Sequence, residues 1–172
     1  MQLEIIDNFL PEHEFVMLKQ LIVEDPTDQF PFAILTHVAN AEMDKYEHWN
    51  WMGVHPFYRD HEPRSPHFNM VASMIITRLE ENHDLHSLIR VKGNFYPWTE
   101  TIKEHEFHTD YTYNHRAAIF SLNTCDGYTL FEDGTKVESV ENRLYIFDPQ
   151  QKHCSSTTSN ARGRYNININ FL

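Results

Sequence analysis

Glycine is scarce in this chain, five residues in 172, and so few make a flexible hinge between two domains an unfavourable reading. Cysteine is scarcer. Cys125 and Cys154 form no CxxC pattern, so a bridge between them stays open, while a reducing cytoplasm is the expected setting. No apolar run approaches the roughly 20 residues of a membrane span. The opening "MQLEIIDNFLPEHE" has neither the basic stretch nor the small-residue cleavage site of a secretory signal. Basic residues are outnumbered, 14 Lys and Arg against 25 Asp and Glu, for a formal charge of −11. Such a balance opposes nucleic-acid binding, which normally begins with a basic footprint. No internal repeat, low-complexity segment or Gly/Ser-rich linker is found.

What is present fits one domain over 1–172, with 1–87 as helical support and an aromatic loop region and 88–172 as a β core. Hydrophobic residues make up 41% and aromatic residues 13% of the chain, and aromatic content of that order argues against disorder. "LEIIDNF" (3–9) reads as a short strand. Pro11 opens a helix in which Phe15, Leu18, Leu21 and Ile22 share a face. Residues 26–66 read as irregular and aromatic, with Trp49, Trp51, Phe57 and Tyr58 as either a lid over substrate or a small satellite core, the latter favoured because long aromatic loops pack themselves down. A second helix is predicted from about 67 to 82, with Phe68, Val71, Ile75 and Leu79 nearly in line and a serine cap near Ser65.

From residue 88 the period falls to two. "LIRVKGNFY", "AAIFSLN", "YTLFED", "KVESV", "RLYIFD" and "RYNININF" are short strand-like runs divided by turn signals. Helices followed by about six strands predict a mainly β, α+β fold: a sandwich or jelly roll with the helices on one outer face. In the last run Tyr165, Ile167, Ile169 and Phe171 point one way, and Arg164, Asn166, Asn168 and Asn170 the other. Either the polar face meets water, or helices cover the apolar face and the polar one lines an internal pocket.

The segment "KEHEFHTDYTYNH" (103–115) crowds His105, His108 and His115 among Glu104, Glu106 and Asp110. His105-Glu106 with His108 falls one residue short of the zinc-protease H-E-x-x-H, in a stretch without helical pattern. His108-Thr109-Asp110 differs, because residues two apart on an extended backbone face one side and can share an ion. His153, in "DPQQKHCSS", would complete two histidines and a carboxylate, the facial triad of non-haem iron oxygenases. His105 or His115 could replace His108, but neither has a carboxylate two residues on. Cys154 reads as a small packing residue rather than a thiolate ligand. A buried arginine on the polar side of the last strand needs an anion, and a guanidinium grips a carboxylate at two points. Arg164 is preferred to Arg162 because it lies inside the alternating strand. Lys92 and Asn94 share the parity of Tyr96 and face either the pocket or a strand edge.

In order, "RVKGNFYP", "HTD", "SLN", "DGYTLFEDG", "ENRLYIFD", His153 and "GRYNININF" resemble the 2-oxoglutarate- and Fe(II)-dependent dioxygenases, within them the prolyl 4-hydroxylase-like group and its short bacteriophage members. The opening "IIDNFLP" joins the match, which is weakest across 26–66. The resemblance implies a double-stranded β-helix with His108, Asp110 and His153 as iron ligands. It implies Arg164 and Tyr96 on the distal carboxylate of 2-oxoglutarate, with Asn166, Thr129 and Ser121 as further pocket residues. It also implies dioxygen as co-substrate, ascorbate as a reductant, and hydroxylation of a C–H bond with succinate and carbon dioxide as co-products. A prolyl residue of a peptide or protein is the first substrate; a free amino acid, another small molecule or an alkylated nucleobase are alternatives, as is a non-catalytic cupin-like binding module. Asp126-Gly127 stands where relatives often carry two glycines, and arginine stands at 164 where procollagen-type enzymes use lysine.

Overall fold

A computed structural model describes residues 3–24, 27, 30–39 and 47–172. The elements are β1 (Glu4–Ile6), α1 (Glu12–Ile22), β2 (Ala33–Leu35), β3 (Met52–Arg59), β4 (Glu62–Pro63), α2 (Phe68–Val71), a π-helical turn (Ala72–Ile76), α3 (Thr77–Asn82), β5 (Leu88–Pro97), β6 (Arg116–Ser121), β7 (Tyr128–Phe131), β8 (Lys136–Glu138), β9 (Arg143–Phe147), β10 (His153–Ser155) and β11 (Gly163–Phe171). No helix among the described residues is long and apolar enough to cross a membrane.

The large antiparallel sheet runs β1-β9-β6-β11-β5-β3-β2, with β4 on β3, and the small sheet runs β10-β7-β8. Bridges from Glu104 to Ser156 and from His108 to His153 lay the segment before β6 along β10, giving the small sheet a fourth, irregular strand. Four strands of the large sheet (β9, β6, β11, β5) thus face four of the small one, the arrangement of a double-stranded β-helix.

The hydrophobic core lies mainly outside this sandwich. Phe15, Leu18 and Ile22 of α1, with Val71, Ile75 and Leu79 of the second helical segment, pack on Val91, Phe120, Leu144, Ile167, Ile169 and Phe171 of the large sheet. The helical face and the strand period expected of these residues both hold. Between the sheets sits a smaller cluster of Ala117, Ile119, Phe131, Val137, Tyr145 and Phe147. The alternation of β11 is therefore resolved: its isoleucines and Phe171 lie under the helices, and Arg164, Asn166, Asn168 and Asn170 are buried in the interior.

Two expectations are corrected. Residues 26–66 are not wholly irregular, because β3 lies between β5 and β2. Proline cannot donate to a ladder and normally marks an edge or a bulge; here the β3–β5 register shifts between Pro56 and Tyr58, so a bulge absorbs Pro56. Residues 26, 28–29 and 40–46 of that stretch lie outside the described residues. The helix over 67–82 is interrupted by the π turn, which buries Met74, Ile75 and Ile76 in succession, more than one stripe of a regular α-helix covers. Ser65 accepts from the His67 amide at 3.1 Å, capping the turn that leads into the helix rather than its first residue. Cys125 and Cys154 are both buried and free, which closes the question of a bridge left open by the sequence.

Asn142 joins the N-terminal segment to the sheet. It sits at φ 58°, a conformation asparagine tolerates better than most side chains. Its Oδ1 accepts from the Leu10 amide at 2.9 Å and its Nδ2 donates to the Leu10 carbonyl at 2.8 Å. Asn142→Ala orphans both backbone groups and keeps the strained φ, so it should lower unfolding free energy by about 2–4 kcal/mol. Urea unfolding measures this; a loss under about 0.5 kcal/mol would show that the clamp is not structural.

Candidate metal centre

The bridge between His108 and His153, with amide-to-carbonyl bonds of 3.0 Å in both directions, sets the two imidazoles beside each other with ring centroids 4.8 Å apart. Asp110 lies two residues beyond His108, its Oδ1 4.0 Å from His108 Nε2. One ligand atom from each of His108, Asp110 and His153 falls within 4.8 Å of the others.

The protonation pattern suits a cation. A backbone carbonyl can only accept, so His108 Nδ1 donates to Glu106 O at 3.2 Å and His153 Nδ1 to Gln151 O at 3.0 Å. Each ring then offers an unprotonated Nε2. Burial, then the neighbouring His153, holds His108 near 4, and burial also lowers His153, so both are neutral at pH 7. Burial alone would keep Asp110 protonated, but Arg90, His153, Lys92 and a hydrogen bond from Asn170 outweigh it and hold the carboxyl well below the usual range. Two neutral imidazoles and one carboxylate fit a divalent ion of the iron or zinc kind.

Two further residues aim the carboxylate. Arg90 Nη2 donates to Asp110 Oδ1 at 3.3 Å, and Asn170 Nδ2 donates to Oδ2 at 2.7 Å. Asn170 also donates to His115 Nε2 at 3.3 Å, while His115 Nδ1 donates to Tyr113 O at 2.9 Å. His115 is thereby spoken for as a support, and His105 donates to Ser155 O at 2.8 Å; neither takes the place of His108. The roles of Arg90 and Asn170 were not read from the sequence, although their even parity on β5 and β11 put them on the same face as Tyr96 and Arg164.

The cluster opens on a narrow cavity between the sheets, lined by Tyr96, Thr129, Asn166, Asn94, Lys92 and the three candidate ligands among others. Arg164 lies against the wall and is 1% exposed. Its guanidinium sits over the Tyr96 ring at 5.4 Å, Nη1 donates to Tyr128 O and Nη2 to Thr129 Oγ1 at 2.9 Å, and Nε has no partner among the described residues. Every partner is neutral. Thr129 Oγ1 also accepts from Tyr145 at 2.7 Å; with both lone pairs used, its proton is left to donate elsewhere. Burial raises Tyr96, keeping its phenol a donor. Ser121 pairs with Asn166 across the ladder and so shares the inner face; its hydroxyl has no partner among the described residues, and it is not part of the cavity lining. Arg162 is exposed. Gly127 leaves room for the arginine stem, since a Cβ there would come within 2.9 Å of Arg164 Cδ and 2.8 Å of Thr157 O. Cys154 is buried and its thiol is pushed up to about 11 by burial and by Glu104, as suits a packing residue.

No family model matches the chain, and no curated protein matches its sequence. Solved structures do match. A prolyl hydroxylase of Trichoplax adhaerens, in complex with a hypoxia inducible factor oxygen degradation domain peptide fragment, aligns at TM-score 0.65 and 16% identity over 99% of this chain and 83% of its own. A 2OG-Fe(II) oxygenase family oxidoreductase of Burkholderia pseudomallei aligns at TM-score 0.70 and 12% identity, covering 98% and 84%. The viral collagen prolyl hydroxylase of Paramecium Bursaria Chlorella virus-1, in its 2OG complex, aligns at TM-score 0.62 and 13% identity, covering 100% and 97%. At these identities the likeness establishes the fold, a double-stranded β-helix shared over nearly the whole chain.

Asn170→Ala removes the donor on Asp110 Oδ2 without altering any charge. It should weaken Fe(II) binding about 10–100-fold, the usual cost of losing a group that orients a ligand. Chelator competition under argon measures this, and an unchanged affinity would show that Asn170 does not position the carboxylate.

Proposed function

We propose that this protein is a 2-oxoglutarate- and Fe(II)-dependent dioxygenase that hydroxylates a C–H bond, with a prolyl residue of a peptide or protein as its first substrate class. The observation that carries the reading is the pairing of Arg164 with the three-ligand cluster. A guanidinium that is 1% exposed and meets, among the described residues, a carbonyl, the hydroxyls of Thr129 and Tyr145 and an aromatic ring is a buried cation with no counter-charge among them, which is costly unless an anion arrives. A dicarboxylic co-substrate supplies that anion at one end and metal-binding oxygens at the other.

His108, Asp110 and His153 would hold Fe(II), which when bound supplies dioxygen activation coupled to oxidation of the 2-oxo acid to succinate and carbon dioxide. The rest of the work belongs to the chain. Arg164 attracts and orients the distal carboxylate, and Tyr96 and Thr129 each direct a hydroxyl proton at it. Asn94, whose Nδ2 donates to Asn166 Oδ1 at 2.9 Å, keeps Asn166 fixed in the wall between that anchor and the ligands. Such an anchor is organised before binding, so little ordering is left to the reaction itself. The peptide bound to the Trichoplax neighbour supports a peptidyl substrate here, and the fold alone carries that part of the reading.

Anaerobic addition of Fe(II) and then 2-oxoglutarate should produce a visible metal-to-ligand charge-transfer band that Asp110→Ala abolishes. Well-folded, metal-loaded protein without a band would put the non-catalytic binding module ahead. Arg164→Ala should raise the 2-oxoglutarate concentration at half-maximal band by about thirtyfold or more. An unchanged value would remove Arg164 from the anchor.

A further inference from the structure

The inner face of the β5–β11 ladder is built in layers. Tyr96 pairs with Arg164, Asn94 with Asn166, Lys92 with Asn168 and Arg90 with Asn170, each layer about 6.6 Å from the next at two residues per step. Arg164 stands at one end. Asp110 is held at the other, by Arg90 and Asn170. Lys92 belongs to the layer between the proposed anchor and that carboxylate clamp, and it lines the cavity beside His108, Asp110 and His153.

Lys92 is spare. Among the described residues it makes no hydrogen bond and no ion pair, although Asp110 is close enough to act on it electrostatically. Asp110 is already engaged elsewhere, one carboxylate oxygen accepting from Arg90 and the other from Asn170, and no bond to Lys92 is formed among the described residues. Nothing in the packing demands an amine there: Pro56, its neighbour on β3, and Asn168, its neighbour on β11, are both uncharged. Burial and the like charge of Arg90 lower its pKa to about 8, so the ammonium form still prevails at neutral pH. A part-buried ammonium in a cavity, with its natural counter-ion occupied, is an anion-binding group.

We propose that Lys92, whose long side chain reaches into the cavity from its layer, is the docking point for a second carboxylate in the pocket, apart from the one held at Arg164. This deepens the dioxygenase reading without depending on the iron. The carboxylate has two possible sources with the same chemistry: the near end of the five-carbon co-substrate, or an acid group on the molecule to be hydroxylated.

Calorimetric titration of metal-free protein with glutarate and with butyrate separates them first. These acids share the carboxylate for Arg164, and only glutarate carries a second. Wild type should bind glutarate at least about tenfold more tightly than butyrate. Lys92→Met should erase that advantage and leave butyrate unchanged, while Lys92→Arg, which keeps the charge, should retain it. This result assigns the second carboxylate to the co-substrate. If the diacid has no advantage, or keeps it in Lys92→Met, the second arm titrates N-acetyl-L-proline and N-acetyl-L-prolinamide into anaerobic Fe(II)- and 2-oxoglutarate-loaded protein, or into metal-free protein if no charge-transfer band forms. A preference for the acid that Lys92→Met removes assigns the carboxylate to the substrate. No Lys92-dependent preference in either arm overturns the proposal. Failure of the dioxygenase reading shows separately, as a missing charge-transfer band in wild type.

Discussion

The large sheet buries its apolar side outward, beneath α1 and the second helical segment, and this frees its inner side from serving as the core. Without helices outside, Ile167, Ile169 and Phe171 would have to face the small sheet, and Arg164 and the three asparagines would lie in water. With the helices in place, the same two-residue period turns a row of polar groups into the enclosed space. Burying such groups costs free energy unless they are paired. Most are: Asn166 accepts from Asn94, Asn170 donates to Asp110, and Arg90 donates to Asn170 Oδ1 at 2.9 Å. The exceptions on this face among the described residues, Arg90 Nε, Arg164 Nε, Ser121 Oγ and Asn94 Oδ1, lie where a ligand can complete some of the bonding.

Charge is distributed against the average. The chain carries −11 overall, yet Lys92 lines the cavity, and Arg90 and Arg164 lie on the same inner face of the β5–β11 ladder. A strongly negative exterior and a cationic interior suit an anion that must be pulled from solution into one narrow cavity rather than bound over the surface. The same concentration of positive charge keeps Asp110 ionised despite its burial, so one electrostatic arrangement serves both the anion anchor and the candidate metal ligand.

Much of this was legible because it follows local period. The strands from 88 onward, the α1 face and the polar row of β11 rest on spacing alone, and β5–β9 and β11 fall within a residue or two of the predicted runs. The HxD pair needed only the rule that alternate residues of an extended chain share a side. What escaped depends on distant partners. β3 carries Gly53 and Pro56, which locally argue against a strand, and it exists because β5 and β2 flank it. β10 is three residues long and is held by β7 and by the bridge to His108, so no window on the sequence could show it. Arg90 and Asn170 had the right parity, but their grip on Asp110 spans 20 and 60 residues of chain.

Trp49, Trp51, Phe57 and Tyr58 were read as either a satellite core or a substrate cover; Phe57 and Tyr58 lie in β3 and pack with the main core. Phe30 and Phe32 stack with His55 at centroid distances of 4.4 and 6.5 Å, and Phe30 also meets Phe57 and His67. That cluster is an extension of the main core, fixed to the fold where His55 bonds Ser65 Oγ at 2.8 Å and Pro31 O at 2.7 Å. Val38, a few residues on, lines the cavity itself. Trp49 lies 5.7 Å from the His105 ring, which in turn lies 5.5 Å from Tyr96. The packed aromatic residues therefore hold the neighbouring ones against the cavity. Under the proposed function, a substrate reaching that cavity would meet Val38 beside the polar lining, so apolar surface would share in its selection.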